Sequence, residues 1–185
     1  IAAKLYPAVC VAAWLPALGR RGTAALLAAL LLVCLPYWTG DRSPFLGLGT
    51  FAEHWNHNEF IYRLLFHLSP NRDVAKAAAA LILLCLAGLA FLKSKSARPG
   101  RQALAGAGWS PALLFALLAL APTIHPWYVV WLAPWLALRP APAPLLWTAM
   151  APLSYEILLG YRAAGVWDEK AWVVVAEYVP VCLGL

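Results

Sequence analysis

The sequence predicts an all-α protein, a polytopic transmembrane helix bundle of about seven membrane segments with one amphipathic helix in an outer loop. Hydrophobic residues make up 63% of the 185 positions and charged residues only 12%, which leaves too few polar residues to cover a water-soluble globule. The Ala/Leu runs reach the ~20 residues that a helix needs to cross a bilayer core. Ten Trp and seven Tyr are typical of the headgroup region.

The predicted membrane segments follow one another with short polar or proline-rich breaks. They cover 1–18, 23–38, 74–92, two pieces within 109–138, 144–160 and 171–185. The first two form a helical hairpin around Arg20 and Arg21. We interpret 1–185 as a single transmembrane domain. Because the chain starts with Ile inside a membrane segment, we expect it to be the C-terminal portion of a longer chain.

The stretch 111–138 decides the topology. One unbroken helix of this length would measure about 42 Å, too long for the bilayer core unless steeply tilted. Pro122 and Pro126 interrupt it, since each removes a backbone donor and disfavours helical angles in the residue before it. The pattern predicts two helices joined by a turn at TIHP. A single kinked span is the alternative, and it would invert the topology downstream.

Basic residues crowd the ends of helices in short loops, which places those loops in the cytoplasm. The polar stretch 40–73 and the TIHP turn then lie on the outer side. A net charge of +6 does not indicate a nucleic-acid partner, because the cations are not on one continuous face. The predicted cytoplasmic residues are Arg20, Arg21, Lys93, Lys95, Arg98, Arg101 and Arg139.

Three charged residues lie within predicted membrane segments, where charges are costly and typically functional. Lys4, near the outer end of the first segment, is placed to neutralise a lipid phosphate or to snorkel to the interface. Glu156 is expected to pair with Arg162 near the same boundary. Glu177 is expected to contact a neighbouring helix or the headgroup layer.

His125 lies at the predicted outer turn, in PTIHPWYVV. There an imidazole can donate to a phosphate or take up a proton near neutral pH, or it can satisfy a backbone carbonyl freed by proline. Trp127 and Tyr128 follow, close enough to the loop to stack on a sugar. The alternative is that they are belt or packing aromatics.

The outer loop contains EHWNHNEFIYRLL. His54 and His57 are closer than the i,i+4 pair that puts two imidazoles on one helix face, so we predict no metal site. The predicted amphipathic helix contains Phe51, Trp55, Tyr62 and Phe66. Asn58, Glu59 and Arg63 would face either a polar cleft or solvent.

Several of these pieces together resemble one family. They are KLYP, a loop with W-x-x-N and a following aromatic (Trp55, Asn58, Tyr62), and HPWYVVWLAPWLAL. They are similar to the C-terminal half of bacterial GT-C superfamily glycosyltransferases, in particular the polyprenyl-phosphate-mannose-dependent mannosyltransferases. The resemblance covers most of the chain. It implies an integral inner-membrane enzyme that transfers mannose from a polyprenyl-phosphate donor to a lipid or glycan acceptor at the outer face.

The resemblance implies substrate contacts at Lys4, Asn58, His125, Trp127 and Tyr128. His57 departs from the apolar residue expected before the Asn. The catalytic base of such enzymes is an acid in the first outer loop, which we expect upstream of residue 1, so this chain alone should be inactive. No cofactor is identified, although a divalent metal assists some relatives. The alternatives are a non-enzymatic transporter or scaffold subunit, and a surface-polysaccharide ligase or polymerase.

Overall fold

The computed structural model describes residues 8–38 and 57–185, which are helical and contain no β-strand. The all-α prediction is confirmed for these residues. Short 3₁₀ turns at Val130–Leu132 and Ala151–Tyr155 make 126–138 and 142–164 each a continuous helical segment. The helices are α1 (Ala8–Cys34), α2 (Ile61–Leu68), α3 (Arg72–Lys95), α4 (Gln102–Ala119), α5 (Pro126–Val129), α6 (Ala133–Leu138), α7 (Pro142–Met150), α8 (Glu156–Ala164) and α9 (Ala171–Leu183).

Three of the described helices, α1, α3 and α4, are long and apolar enough to cross a membrane. They contain 27, 24 and 18 residues and are rich in Ala and Leu, which have the highest helix propensities. Two shorter apolar segments, Pro126–Leu138 and Ala171–Leu183, follow. These helices are compatible with the predicted membrane protein, while the count of seven spans stays a prediction.

The loop predicted around Arg20 and Arg21 is replaced by a break inside α1. Both arginines are helical, and the break lies at Gly19, with φ 61° and ψ −175°. Glycine adopts a positive φ at little cost because it has no Cβ. Thr23 Oγ1 donates a hydrogen bond to the Gly19 carbonyl at 2.8 Å. The two predicted segments are therefore present as two helical pieces that meet at Gly19, whereas the predicted loop at Arg20 and Arg21 is wrong because both arginines are helical.

The stretch 111–138 is two helical pieces joined by a turn, as predicted. α4 ends at Ala119 and α5 begins at Pro126. His125 has an extended backbone (φ −97°, ψ 147°), which is what the proline ring after it requires. The single kinked span is therefore excluded.

The ends of α3 carry charges that suit the helix dipole. The Asn71 side-chain oxygen accepts hydrogen bonds from the N–H groups of Asp73 (2.9 Å) and Val74 (3.3 Å). Asp73 lies in the first turn and Lys93 and Lys95 in the last. Acids at the N-terminus and cations at the C-terminus both stabilise a helix.

The chain divides into two compact units. Of the described residues, the first unit contains 8–38 and 82–113, and the second unit contains 57–81 and 114–185. Helices α3 and α4 therefore contribute residues to both units.

In the first unit, α4 packs closely on α1 through small residues. A Cβ added to Gly106 would lie 2.8 Å from the Ala13 carbonyl oxygen. One turn later, Ser110 Oγ accepts a hydrogen bond from Trp14 Nε1 at 2.9 Å. Small residues at this spacing let membrane helices approach closely.

The core of the second unit is aromatic. Trp147 of α7 is fully buried and lies edge-on to Phe60 and Phe115, with ring centroids 5.6 and 5.3 Å apart. Tyr178 of α9 stacks on Phe60 at 4.3 Å. These contacts fix the segment ahead of α2 against α7 and α9.

Helix α2 has one buried and one exposed side, as the predicted amphipathic helix requires. Tyr62 is fully buried, whereas Leu64 and Leu68 are exposed. Phe51 and Trp55, which belong to the same prediction, lie outside the described residues. Placement of α2 along a membrane surface stays a prediction.

Candidate functional site

Two non-helical segments of the second unit pair with each other. The His57 N–H donates to the Pro122 carbonyl at 3.2 Å, and the Ile124 N–H donates to the His57 carbonyl at 2.9 Å. These bonds satisfy backbone groups that have no helical partner. They fix the segment ahead of α2 against the turn that carries His125.

His125 is enclosed by aromatic rings and by a second imidazole. The Trp127 indole stacks on it with ring centroids 4.3 Å apart and planes 10° from parallel. Tyr128 lies edge-on at 5.4 Å, and the His57 ring is also 5.4 Å away. Both histidines are buried. The site thus places two imidazoles side by side, and each can donate or accept a hydrogen bond.

Asn58 forms hydrogen bonds with three side chains of this site, those of Glu169, Glu177 and Tyr178. Its N–H donates to Glu169 Oε1 at 2.5 Å, and its Nδ2 donates to both carboxylate oxygens of Glu177 at 3.1 and 3.0 Å. Its carbonyl accepts from the Tyr178 hydroxyl at 2.6 Å. The φ of Asn58 is 51°, in the left-handed region that Asn tolerates better than most residues. This conformation directs three groups of one residue, only 1% exposed, to three partners.

Glu169 lies between α8 and α9 and contacts two basic side chains, those of Arg63 and His57. Arg63 of α2 forms an ion pair with it, and His57 Nδ1 lies 3.3 Å from its Oε1. Burial alone would raise the pKa of Glu169. The His57 imidazole, the Asn58 N–H and the Arg63 charge outweigh burial and lower the pKa to about 2. The carboxylate therefore stays charged at neutral pH beside His57.

Arg63 lies between two carboxylates, because Glu59 Oε2 is 3.8 Å from its Nε. Burial raises the pKa of Glu59, and the Arg63 charge opposes that shift. Asn58 and Glu59 are buried. Of the two interpretations drawn from the sequence, the structure supports the polar cleft for these two residues rather than a solvated face.

Glu177 is fully buried on the apolar helix α9. Trp147 Nε1 of α7 donates to its Oε1 at 2.9 Å, in addition to the two bonds from Asn58. Of the two predicted surroundings, a neighbouring helix and the headgroup layer, the structure shows the neighbouring helix. A carboxylate at such a position is costly unless it is hydrogen-bonded, as Glu177 is.

A small pocket opens beside this network, with room for about one water-sized molecule. One buried atom of its lining residues, Asn58 Oδ1, has no hydrogen-bond partner among the described residues, whereas His57 Nδ1 lies beside the Glu169 carboxylate. A buried polar atom without a partner costs about 1–3 kcal/mol, so Asn58 Oδ1 is suited to a polar ligand. The pocket is lined by His57, Asn58, Ser154, Glu156, Ile157, Glu169, Lys170 and Val173.

Lys170 brings a cation to the same pocket. Its ammonium group forms an ion pair with Glu156. The predicted pair between Glu156 and Arg162 is therefore wrong, because Arg162 lies on a different face of α8. Instead, the loop between α8 and α9 places Lys170 next to Glu156, the first residue of α8.

Two half-exposed indoles flank the histidines. Trp127, 46% exposed, covers His125, and Trp167, 47% exposed, lies edge-on to His57 at 5.3 Å. An exposed indole has a flat, electron-rich face that packs well against the C–H face of a sugar ring.

Four of the five predicted substrate-contact residues, Asn58, His125, Trp127 and Tyr128, come together in this site, and Lys4 lies outside the described residues. Sequence reasoning missed Glu169, and it considered His57 only as a metal ligand. The available signal for Glu169 was a charged run beside a tryptophan, WDEK, between two apolar helices. In the described part of the chain, no three His, Cys, Asp or Glu side chains are grouped to hold a metal ion.

Comparison with protein-family models, with curated proteins and with solved structures finds no match to this chain. The geometry of the site therefore carries the functional argument.

Proposed function

We propose that this chain is a membrane glycosyltransferase of the GT-C type. It transfers a sugar, with mannose the first choice, from a polyprenyl-phosphate donor to a lipid or glycan acceptor at the outer face of the bacterial inner membrane. The observation that carries the proposal is the pairing of His57 and His125 at a turn between helices, beside a pocket that also presents Lys170.

Transfer from such a donor breaks the bond between the sugar carbon and a phosphate oxygen. Negative charge develops on the departing phosphate, and preorganised N–H donors and cations at that point lower the barrier. His125 and His57 supply the imidazole N–H groups, and Lys170 supplies a cation. The stacked Trp127 fixes the orientation of the His125 ring.

The flanking indoles of Trp127 and Trp167 suit the sugar rather than the phosphate. Their exposed faces lie beside the two imidazoles. A pyranose ring held against either indole would keep its anomeric carbon near the imidazoles. This arrangement favours a sugar donor over a simple phosphate ester.

Glu169 positions His57 and is not the base that activates the acceptor. A carboxylate whose pKa is about 2 binds a proton too weakly for general-base catalysis near neutral pH. Glu169 is therefore a positioning residue in this proposal.

The outer-face assignment is supported by the two ends of α3. This helix runs from Arg72, shortly after α2, to Lys93 and Lys95, and the basic loop 93–101 follows. Lys and Arg in short loops favour the cytoplasm. The end of α3 near α2 would then face outward.

The test is transfer of radiolabelled mannose from polyprenyl-phosphate-mannose by membranes that contain the protein expressed from its natural gene. We expect His125→Ala and His57→Ala each to lower the rate about a hundredfold, the effect of removing one preorganised donor. His67→Ala is the matched control, because His67 is an exposed histidine in the last turn of α2. It should leave the rate within about twofold.

Full activity of His125→Ala would remove that residue from the mechanism. Absence of transfer with every lipid-phosphate sugar offered, in membranes where the protein is folded and abundant, would reject the glycosyltransferase. A transporter or scaffold subunit, or a polysaccharide ligase or polymerase, would then be favoured.

A further inference from the structure

The first unit contains a groove of about 700 Å³ that the proposed function does not use. It lies between α1, the end of α3 and the start of α4. Its lining combines apolar and cationic side chains. The lining residues are Leu15, Pro16, Gly19, Arg20, Thr23, Ala24, Leu27, Phe91, Lys95 and Gln102.

The two cations of the groove have no acidic partner among the described residues of their unit. The described residues of the first unit, 8–38 and 82–113, contain no Asp or Glu. Neither Arg20 nor Lys95 forms an ion pair with any described residue. The Lys95 ammonium lies 6.0 Å from the centre of the Phe91 ring, a contact that does not neutralise its charge. The groove thus presents two positive charges that no described acid neutralises.

The break in α1 forms one wall of the groove. Gly19, Arg20 and Thr23 all line it, and the Thr23 hydroxyl is bonded to the Gly19 carbonyl. No atom lies within 4 Å of the position that a Cβ of Gly19 would occupy, so this wall is open. Leu15 and Leu27, one on each side of the break, and Phe91 extend the groove as an apolar surface.

We infer that this groove binds an anionic phospholipid of the cytoplasmic leaflet. The lipid phosphate lies between Arg20 and Lys95, and an acyl chain packs against Leu15, Leu27 and Phe91. Basic pockets between membrane helices at the cytoplasmic side suit acidic headgroups. A groove with both cations and an apolar wall fits a lipid better than free phosphate, which would leave that wall in contact with water.

The test measures lipid retention by the purified, delipidated 185-residue chain in neutral detergent, with native mass spectrometry as the readout. Phosphatidylglycerol should be retained more strongly than phosphatidylcholine of the same acyl length. The double variant Arg20→Gln/Lys95→Gln should weaken phosphatidylglycerol binding about tenfold or more, because each cation near an anionic headgroup contributes to binding. Arg20→Lys/Lys95→Arg keeps both charges and should bind as the unchanged chain does.

Arg98→Gln/Arg101→Gln is the matched control. It removes the same amount of charge from the loop that follows α3, but neither residue lines the groove. We expect it to change binding by less than about threefold. Equal weakening in both double variants would mean diffuse attraction and overturn the site, as would full binding by Arg20→Gln/Lys95→Gln. Displacement of the lipid by millimolar inorganic phosphate would overturn the lipid assignment.

Discussion

The two units differ in where they keep charge. In the second unit, Glu177 is fully buried and Glu169 is partly buried, and each accepts hydrogen bonds from several named donors. In the described part of the first unit there is no acid at all, and Arg20 and Lys95 are exposed. Buried charge is costly unless it is fully bonded. Among the described residues, buried and hydrogen-bonded acidic charge is thus concentrated in the second unit.

The interiors differ in the same way. The second unit surrounds its carboxylates with large rings, and Trp147 and Tyr178 serve both as core residues and as hydrogen-bond donors. The first unit relies on close helix contact at Gly106 and Ser110. Hydrogen bonds between buried side chains therefore determine how the helices of the second unit pack. In the first unit, the packing is determined by the close fit of small residues between helices.

The largest effect that tests this contrast is expected from Glu177→Ala. The change leaves Asn58 Nδ2 and Trp147 Nε1 without their acceptor in a buried site, and each unsatisfied donor costs about 1–3 kcal/mol. We expect the free energy of unfolding to fall by about 4 kcal/mol. Equilibrium unfolding in detergent micelles measures it.

Glu156→Ala is the control for this prediction. Glu156 pairs with Lys170, whose side chain is 47% exposed, and exposed ion pairs contribute about 0–1 kcal/mol. We expect a loss below about 1 kcal/mol. Similar losses in the two variants would show that the buried network does not specify the second unit.

The parts of the fold that follow local rules could be predicted from the sequence. Pro122 and Pro126 restrict the backbone of the residues before them, and this effect does not depend on tertiary contacts. The turn between α4 and α5 could therefore be predicted from the sequence. The kink at Gly19 in α1 could not be predicted, because a glycine beside two arginines is as typical of a loop as of a kinked helix. The choice between a loop and a kinked helix depends on packing.

The site was predicted where a single residue stood out and missed where partners are distant in sequence. His125 and Asn58 were found from their motifs. Glu169 is more than a hundred positions from Asn58 and Arg63, and only folding brings them together. Glu156 was assigned to the nearest cation along the helix, whereas a returning loop supplies Lys170.

A pH-dependent effect of intermediate size is expected from Glu169. Its pKa is about 2 in the folded chain against an ordinary value of 4.5, so its carboxylate stabilises the fold above about pH 4.5. That contribution is lost as the pH falls toward 2, and it amounts to about 3 kcal/mol. Glu169→Gln should lose this stability at neutral pH. Its unfolding free energy should also fall less steeply than that of the unchanged chain between pH 5 and 2.

Two neighbouring acids sharpen this experiment. Burial raises the pKa of Glu59, so its contribution has the opposite sign and is lost as the pH rises. The Glu169 charge is one cause of that shift, so the Glu169 contribution is isolated by comparing Glu59→Gln with Glu59→Gln/Glu169→Gln. Asp168→Asn changes an exposed carboxylate next in sequence and should reproduce the pH profile of the unchanged chain. A parallel profile for Glu169→Gln would contradict the assigned contacts.

The smallest expected loss of stability concerns the first unit, where we expect close packing of helices rather than charge to determine stability. Gly106→Ala puts a Cβ 2.8 Å from the Ala13 carbonyl oxygen and 3.3 Å from the Trp14 ring, and overpacking of this kind costs about 2 kcal/mol. Gly88→Ala in α3 meets no atom within 4 Å and should be neutral or stabilising by up to about 1 kcal/mol, because Ala is the better helix former. Equilibrium unfolding separates the two variants. If they have the same stability, close approach of α4 to α1 does not determine the first unit. Its specificity would then have to come from lipid contacts, such as the groove around Arg20.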